Sequence, residues 1–173
     1  MEVLTEILKY VLPAAIAITG VYLVIQRFFE HERARANHDL KNAVRRESFA
    51  VRMQAYERIV LLLERISPNQ LIIRVNQPGV GVSQFQALLV RTIRDEFDHN
   101  LSQQVYVSSK AWELVRTARE EVIRLINTAG AMLPKESSSA DLAGKILELQ
   151  AGSAENPVDR AIEFVKQEAR GFL

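Results

Sequence analysis

The run YVLPAAIAITGVYLVIQ, residues 10–26, contains no charged side chain. Its length is at the lower edge of what a helix needs to cross the hydrocarbon core of a bilayer. Tyr10 and Tyr22 lie towards its two ends, where amphipathic rings favour the membrane interface. Lys9 and Arg27 flank the run and can extend towards lipid head groups. The sequence therefore predicts a transmembrane helix, and the lipid bilayer is the first expected partner.

Two other interpretations of this run are weaker. A cleaved signal peptide normally begins with a basic region, whereas Glu2 and Glu6 are the only charged residues before Lys9. A helix buried in a soluble core would show a polar stripe, but only Thr19 and the tyrosine hydroxyls interrupt the apolar surface. We therefore expect the segment to be retained as an anchor.

Positive charge is distributed unequally across the run. Lys9 is the only basic residue before it, whereas six basic residues follow within about 20 residues, the window in which positive charge sets topology. These six are Arg27, Arg33, Arg35, Lys41, Arg45 and Arg46. The imbalance predicts a short extracytoplasmic segment at residues 1–9, a span at residues 10–27 and a cytoplasmic domain after it.

Residues 28–48 are mostly charged or Ala, which is typical of a polar helical stalk. Neither Gly nor Pro occurs from Val21 to Ile66, so the membrane helix is expected to continue into this stalk. A solvated spacer is favoured. The alternative is one strand of a weak coiled coil. It is less favoured, because Leu40 and Val44 are the only large apolar residues that could form its seam.

Residues 49–173 have the pattern of a small cytoplasmic helical bundle. The first helix carries large apolar side chains at steps of three and four. Capping residues then indicate helix starts at Ser83, at Ser108 or Ser109, and at Asn156, which precedes a proline. The predicted fold class is therefore all-α: a transmembrane helix, a helical stalk and a helical bundle.

Three local features of this bundle are less regular. Leu71–Val75 is a short apolar run that fits either a strand or a loop, and no second strand-like segment is evident to pair with it. Ser83 with Gln86 forms a capping-box pattern. The segment Gly130–Ser139, with Pro134 and a serine triplet, is expected to be flexible.

The first helix of the bundle has apolar residues on two sides. One stripe consists of Phe49, Met53, Tyr56, Val60 and Leu63, and a second of Ile59, Leu62 and Ile66. A domain of this size is not expected to cover both sides, so part of the first stripe is predicted to contact a protein partner or a second copy. The last helix, with Val158, Ile162 and Val165, is the alternative surface.

The sharpest enzyme-like motif is EFDH, residues 96–99, because Glu and His at i and i+3 share a helix face and can bind one metal ion. Only one copy is present, and the other histidines, His31 and His38, lie in the predicted stalk. We therefore favour ordinary helix polarity for Glu96 and His99 over a metal site.

Glu96 also lies within the apolar arc of its helix, between Phe85 and Leu89 at 100° per residue. A carboxylate in that position is expected to be paired, because an unpaired buried charge is costly. The sequence offers several partners without choosing among them: Arg52, Arg58, Arg65, Arg74 and the Tyr56 hydroxyl. Loss of the pair is expected to cost about 1–3 kcal/mol.

No other motif indicates catalysis or a cofactor. The chain has no cysteine, its Gly79-x-Gly81 lacks the third glycine of a phosphate loop, and Gly144-Lys145 lacks the upstream glycine of a P-loop. The formal net charge of +1 gives no field that would favour nucleic acid. We therefore expect neither an enzyme nor a nucleic-acid-binding protein, and we expect no cofactor.

Three segments carry a resemblance. They are RMQAYERIVLLLERISPNQLIIRVNQPG (residues 52–79), EFDHNLSQQVYVSSKAWELV (96–115) and AIEFVKQEARGFL (161–173). The chain resembles an uncharacterised family of small single-pass membrane proteins of Bacteroidota. The resemblance implies a bitopic protein of the bacterial inner membrane, and it implies no activity and no functional residues.

Together these features favour a membrane-anchored helical scaffold or accessory subunit that docks a protein partner at the cytoplasmic face of the membrane. The alternative is a membrane-tethered enzyme or small-ligand sensor with an unrecognised site.

Overall fold

The computed structural model divides into an N-terminal unit, Met1–Ser48, and a second unit, Phe49–Leu173. The residues that the structure describes are 20–22, 25–30, 32, 47–76, 79–153 and 156–172. Helices account for all the regular elements in those residues, so the all-α fold class is confirmed.

The second unit is a helical bundle. Its first helix, α1, is helical through residue 66 and is described from residue 47. The others are α2 (Pro68–Val75), α3 (Val82–His99), a 3-10 helix (Leu101–Val105), α4 (Ser109–Ala131), α5 (Ser139–Ala151) and α6 (Pro157–Arg170). Helix α4, the longest of these five α-helices, contacts α3, α5 and α6.

Apolar residues at helical spacing build the core of the bundle. Helix α1 contributes Tyr56, Ile59, Leu62, Leu63 and Ile66, all of them buried. Helix α4 contributes Trp112, Val115, Ala118, Val122, Ile126 and Ala129 on one continuous face. This 3.6-residue periodicity is the reason that the bundle could be predicted from sequence.

The ambiguous run Leu71–Val75 is neither strand nor loop but part of helix α2. Pro68 occupies the first turn of α2, where its missing N–H costs no hydrogen bond. Leu71 and Ile72 are buried while Ile73 is exposed, so the run turns one face to the core. The proline that ends α1 therefore also begins the next helix.

The sequence predicts that the segment Gly130–Ser139 is flexible, but the structure places its first two residues in α4 and its last two at the start of α5. Ser138 caps α5 in a capping box with Asp141, and each residue's side chain accepts a hydrogen bond from the other's backbone N–H. A short bridge pairs Ser138 with Gly81 at the start of α3. The serines are therefore a helix start rather than a flexible connector.

The capping box predicted at Ser83 is wrong. The N-cap of α3 is Gly81, which has no side chain to cap with. The Gln86 amide instead donates to Asn127 Oδ1 on α4 at 3.0 Å. The Gln86 side chain therefore bonds to a neighbouring helix instead of to the backbone at Ser83.

Only short pieces of the N-terminal unit are described, and residues 20–22, 25–30 and 32 are helical. Among the described residues, no helix combines the length and the apolar character that spanning a membrane requires. Most of the predicted span, its flanking segment 1–9 and most of the predicted stalk lie outside the described residues.

Candidate functional site

The five residues of the predicted partner stripe occupy three environments. Tyr56 is 2 % exposed and Leu63 is fully buried, whereas Met53 and Val60 are half-buried and Phe49 is exposed. Tyr56 is covered because helix α6 lies beside α1 and receives its hydroxyl hydrogen bond. This corrects the predicted surface, since Tyr56 and Leu63 belong to the domain's own core.

The alternative surface on the last helix is also occupied. Val158, Ile162 and Val165 of α6 are buried, because α6 packs against α4 and its apolar stripe faces the core. Neither apolar stripe is therefore left open as a whole.

A groove of about 500 Å³ remains open between the two helices, and we call it the α1/α6 groove. Met53 and Val60 of α1 line one side, and Val165 and Ala169 of α6 line the other. Leu61 also lines it and is 59 % exposed. The groove is therefore the part of the predicted surface that a partner can reach.

The two sides of the α1/α6 groove carry opposite charge. Glu57 lies on the α1 side, and Lys166 and Arg170 lie on the α6 side. Lys166 Nζ is 3.2 Å from Glu163 Oε1, one turn back on α6. Among the residues that the structure describes, Glu57 and Arg170 form no ion pair within 4.0 Å, so both charges are available to a partner.

A polar cluster lies behind the groove, centred on Glu168 of α6. The Tyr56 hydroxyl donates to Glu168 Oε1, and the Ser108 hydroxyl donates to Glu168 Oε2. The Ser108 backbone N–H donates to Oε1 at 3.1 Å, while the Ser108 hydroxyl oxygen accepts from Ala111 N at 3.0 Å and so caps α4. One carboxylate therefore joins α1, α4 and α6.

The end of the chain packs over this cluster. The Arg52 guanidinium carbon is 4.0 Å from the centre of the Phe172 ring, which is the distance of a cation–π contact. The Tyr56 and Phe172 rings are 5.9 Å apart. The last turn of α6 and the residues after it therefore lie beside the first described turns of α1.

The cluster shifts the pKa of both of its acids. Burial raises the pKa of Tyr56 to about 12, and the Glu168 hydrogen bond and negative charge act in the same direction. Burial alone would raise the pKa of Glu168, but hydrogen bonds from Ser108 and Tyr56 and the charge of Arg52 outweigh it, so the pKa is lowered. The arrangement keeps tyrosine neutral and glutamate ionised, which suits a structural tie between helices.

Replacing Tyr56 with phenylalanine is expected to lower the free energy of unfolding by about 1 kcal/mol, because one hydrogen bond to a carboxylate is lost while Ser108 still satisfies Glu168. The ring packing is retained. Because folding raises the Tyr56 pKa, the contribution linked to it is complete below 10.0 and is lost as the pH rises towards about 12. Chemical unfolding of the detergent-solubilised full chain measures both effects.

The matched control is Tyr106→Phe, since the Tyr106 side chain is exposed. It is expected to change the free energy of unfolding by less than about 0.5 kcal/mol. Equal effects of the two substitutions would show that the hydrogen bond from Tyr56 adds no stability.

Sequence reasoning missed Glu168, although a signal was present. Glu168 follows Ala161 by seven residues and Val165 by three, so it lies on the apolar face of α6. A carboxylate on an apolar helix face predicts a buried hydrogen-bond partner, for Glu168 as for Glu96.

The structure places Glu96 between two arginines. Glu96 Oε1 is 2.9 Å from Arg65 Nη2 and 2.7 Å from Arg74 Nη1, and the Glu96 side chain is 15 % exposed. Arg74 also donates to the Arg65 backbone carbonyl at 3.2 Å. The sequence left five candidate partners for Glu96. The structure selects Arg65, at the end of α1, and Arg74, at the end of α2.

The weak metal hypothesis at Glu96 and His99 gains no further ligands. His99 is exposed at the end of α3, and Glu96 is engaged by arginines. Within the described ranges, no three His, Cys, Asp or Glu side chains are grouped so that they could hold a metal ion. His31 and His38 lie outside those ranges.

The residues predicted to flank the membrane are only partly described. Lys9 and Tyr10 lie outside the described residues, while Tyr22 and Arg27 are in helical segments. The Tyr22 ring is exposed, and its hydroxyl accepts a hydrogen bond from Gln26 Nε2 at 2.8 Å.

A second cavity, of about 290 Å³, is lined by residues of α4, α5 and the start of α6. Its wall includes the apolar side chains of Val122, Leu125 and Leu149. Gln150 also lines it, and the buried Gln150 Oε1 has no hydrogen-bond partner among the described residues. The cavity therefore combines apolar walls with one unsatisfied polar atom.

The family comparison covers almost the whole chain. No curated protein matches it, and no solved structure matches it. The sequence profile of a family of unknown function, DUF7935, matches residues 2–172 and so includes both units. The chain therefore belongs to the family of unknown function DUF7935.

Proposed function

We propose that this protein is a membrane-anchored helical scaffold or accessory subunit that docks a protein partner at the cytoplasmic face of a bacterial inner membrane. The observation that carries the proposal is the uncharged run at residues 10–26, followed by the excess of basic residues that starts at Arg27. The proposal includes the helical stalk that the sequence predicts for residues 28–48, directly after the anchor.

The described residues at the end of the predicted span and the start of the predicted stalk support this proposal. Its large apolar side chains Val21, Tyr22, Ile25, Phe28 and Phe29 are between 48 % and 61 % exposed. Exposed apolar side chains in a contiguous group are unfavourable in water and typical of a surface that lipid or protein covers. A bilayer supplies that cover.

Docking is assigned to the bundle because it offers a surface and no evident chemistry. The α1/α6 groove has an apolar floor and charged sides, which is the usual composition of a protein interface. The polar cluster at Glu168 is satisfied internally and joins helices.

The second candidate function is a membrane-tethered enzyme or small-ligand sensor. The unpartnered Gln150 oxygen in the cavity between α4, α5 and α6 favours the sensor, because a ligand donor would satisfy it. The scaffold is preferred, because the α1/α6 groove offers a larger open surface with an apolar floor and charged sides.

The side of the membrane on which the C-terminus lies tests the proposed topology. A reporter enzyme that is active only outside the cytoplasm, fused after Leu173, is expected to be inactive, because the positive charge follows the span. The same reporter fused before Met1 is the matched control and is expected to be active. Activity of the C-terminal fusion, or release of the protein from membranes by alkaline extraction, would contradict the proposal.

A further inference from the structure

We infer that the α1/α6 groove binds the same groove of a second copy of this chain, with the two-fold axis running along the groove and both α1 helices pointing the same way. The inference rests on the proposed function, which places both copies in one membrane. It identifies the docked protein partner as a second copy of the chain.

The charges of the groove select this pairing. A two-fold symmetric dimer needs a self-complementary surface: if residue i of one copy contacts residue j of the other, then j of the first copy contacts i of the second. A two-fold axis along the groove places the α1 side of one copy over the α6 side of the other. Glu57 of each copy then faces Lys166 and Arg170 of its neighbour.

The other symmetric arrangement is disfavoured. A two-fold axis across the groove places α1 on α1, so that Glu57 meets Glu57, and it places Arg170 against Arg170. Like charges brought together in this way oppose association. The groove therefore distinguishes a parallel pair from an antiparallel one.

The positions of Glu57, Lys166 and Arg170 along the length of the groove agree with this pairing. Tyr56 on α1 contacts Glu168 on α6, and Glu57 is the next residue on α1. Lys166 and Arg170 lie two residues to either side of Glu168. After rotation about an axis along the groove, Glu57 is at the height between the two basic side chains.

Membrane anchoring favours association of two copies. Confinement to one membrane raises the effective concentration of the copies. Leu61, exposed in the single chain, becomes covered in the dimer together with Met53 and Val60.

Cross-linking of single cysteines tests the geometry, because the natural chain has none. Full-length chains with Glu57→Cys and with Arg170→Cys, carrying different tags, are co-expressed and treated in native membranes with a short bismaleimide. The mixed 57–170 product is expected to exceed the 57–57 product about tenfold. Chains with Ile73→Cys, an exposed apolar position on α2, are the control and are expected to remain uncross-linked.

Charge reversal tests the contact that selects the pairing. Glu57→Lys alone and Arg170→Glu alone are each expected to reduce co-purification of two tagged copies about tenfold, and the two variants mixed together are expected to restore it. Ile73→Glu is expected to have no effect. Circular dichroism verifies that every variant is folded, and a variant that is not is replaced by Glu57→Gln or Arg170→Gln.

The outcomes separate this inference from the proposed function. A monomer in native membranes, a dominant 57–57 product, or cross-links from position 57 to a different protein would each overturn the dimer. The last result would leave the scaffold proposal standing. A 57–170 product from a chain that alkaline extraction releases from membranes would support the dimer and overturn the membrane anchor.

Discussion

Replacing Glu168 with alanine is expected to lower the free energy of unfolding by about 2–3 kcal/mol. The Glu168 carboxylate accepts hydrogen bonds from the Tyr56 hydroxyl and from the hydroxyl and backbone N–H of Ser108. Truncation leaves these donors without their acceptor in a partly buried site, and it leaves the Arg52 charge without its neighbour. Chemical unfolding of the full chain in mild detergent measures the loss.

Two further variants separate charge from shape. Glu168→Gln keeps the side-chain volume and some hydrogen bonding, so its effect is expected to be about half that of alanine. Glu163→Ala removes an exposed acid from the same helix and is expected to cost less than about 0.5 kcal/mol. If Glu168→Ala matched Glu163→Ala, the cluster would not be holding the three helices together.

The pH dependence has a defined sign. Folding lowers the Glu168 pKa below its ordinary value of 4.5, so the unfolded chain binds a proton more readily than the folded chain. The stabilisation is therefore complete above 4.5 and is lost as the pH falls through the lower, folded pKa. The difference in stability between the natural chain and Glu168→Gln is expected to narrow over that acidic range.

Local patterns were sufficient to predict helices α1, α3, α4 and α6 of this bundle, but not α2, whose run Leu71–Val75 fitted a strand or a loop. Ser108 caps α4, and Asn156 caps α6 with Pro157 in its first turn, because these residue types satisfy or omit the free N–H groups of a helix start. Ser83 is not a cap, because α3 begins at Val82 and its N-cap is Gly81, two residues before Ser83. The residue at which a helix begins also depends on contacts with residues that are distant in sequence, and a local sequence pattern does not contain those contacts.

The candidate site was only half predictable for the same reason. The apolar stripe of α1 indicated a surface, but which helix covers it is a property of the tertiary packing. Helix α6 buries Tyr56 and leaves Met53 and Val60 at the edge of a groove. The charges that give this groove its two unlike sides come from helices that are far apart in sequence.

Replacing Glu96 with alanine is the second large effect that we expect, a loss of about 1–2 kcal/mol in the free energy of unfolding. Glu96 is the acceptor through which α3 holds the ends of α1 and α2, since its Oε1 contacts both Arg65 and Arg74. Without it, two guanidinium groups face each other unneutralised. The value lies below that of Glu168, because the Arg65 side chain is half exposed and solvent screens the pair.

Salt and a neighbouring acid provide the controls for Glu96. Asp95→Ala removes a well-exposed carboxylate that lies 3.6 Å from Arg91 Nε on the same helix, and it is expected to cost less than about 0.5 kcal/mol. High salt is expected to reduce the difference between the two variants, because part of the Glu96 contribution is electrostatic. A Glu96→Ala chain as stable as the Asp95→Ala chain would mean that packing alone holds α1, α2 and α3 together.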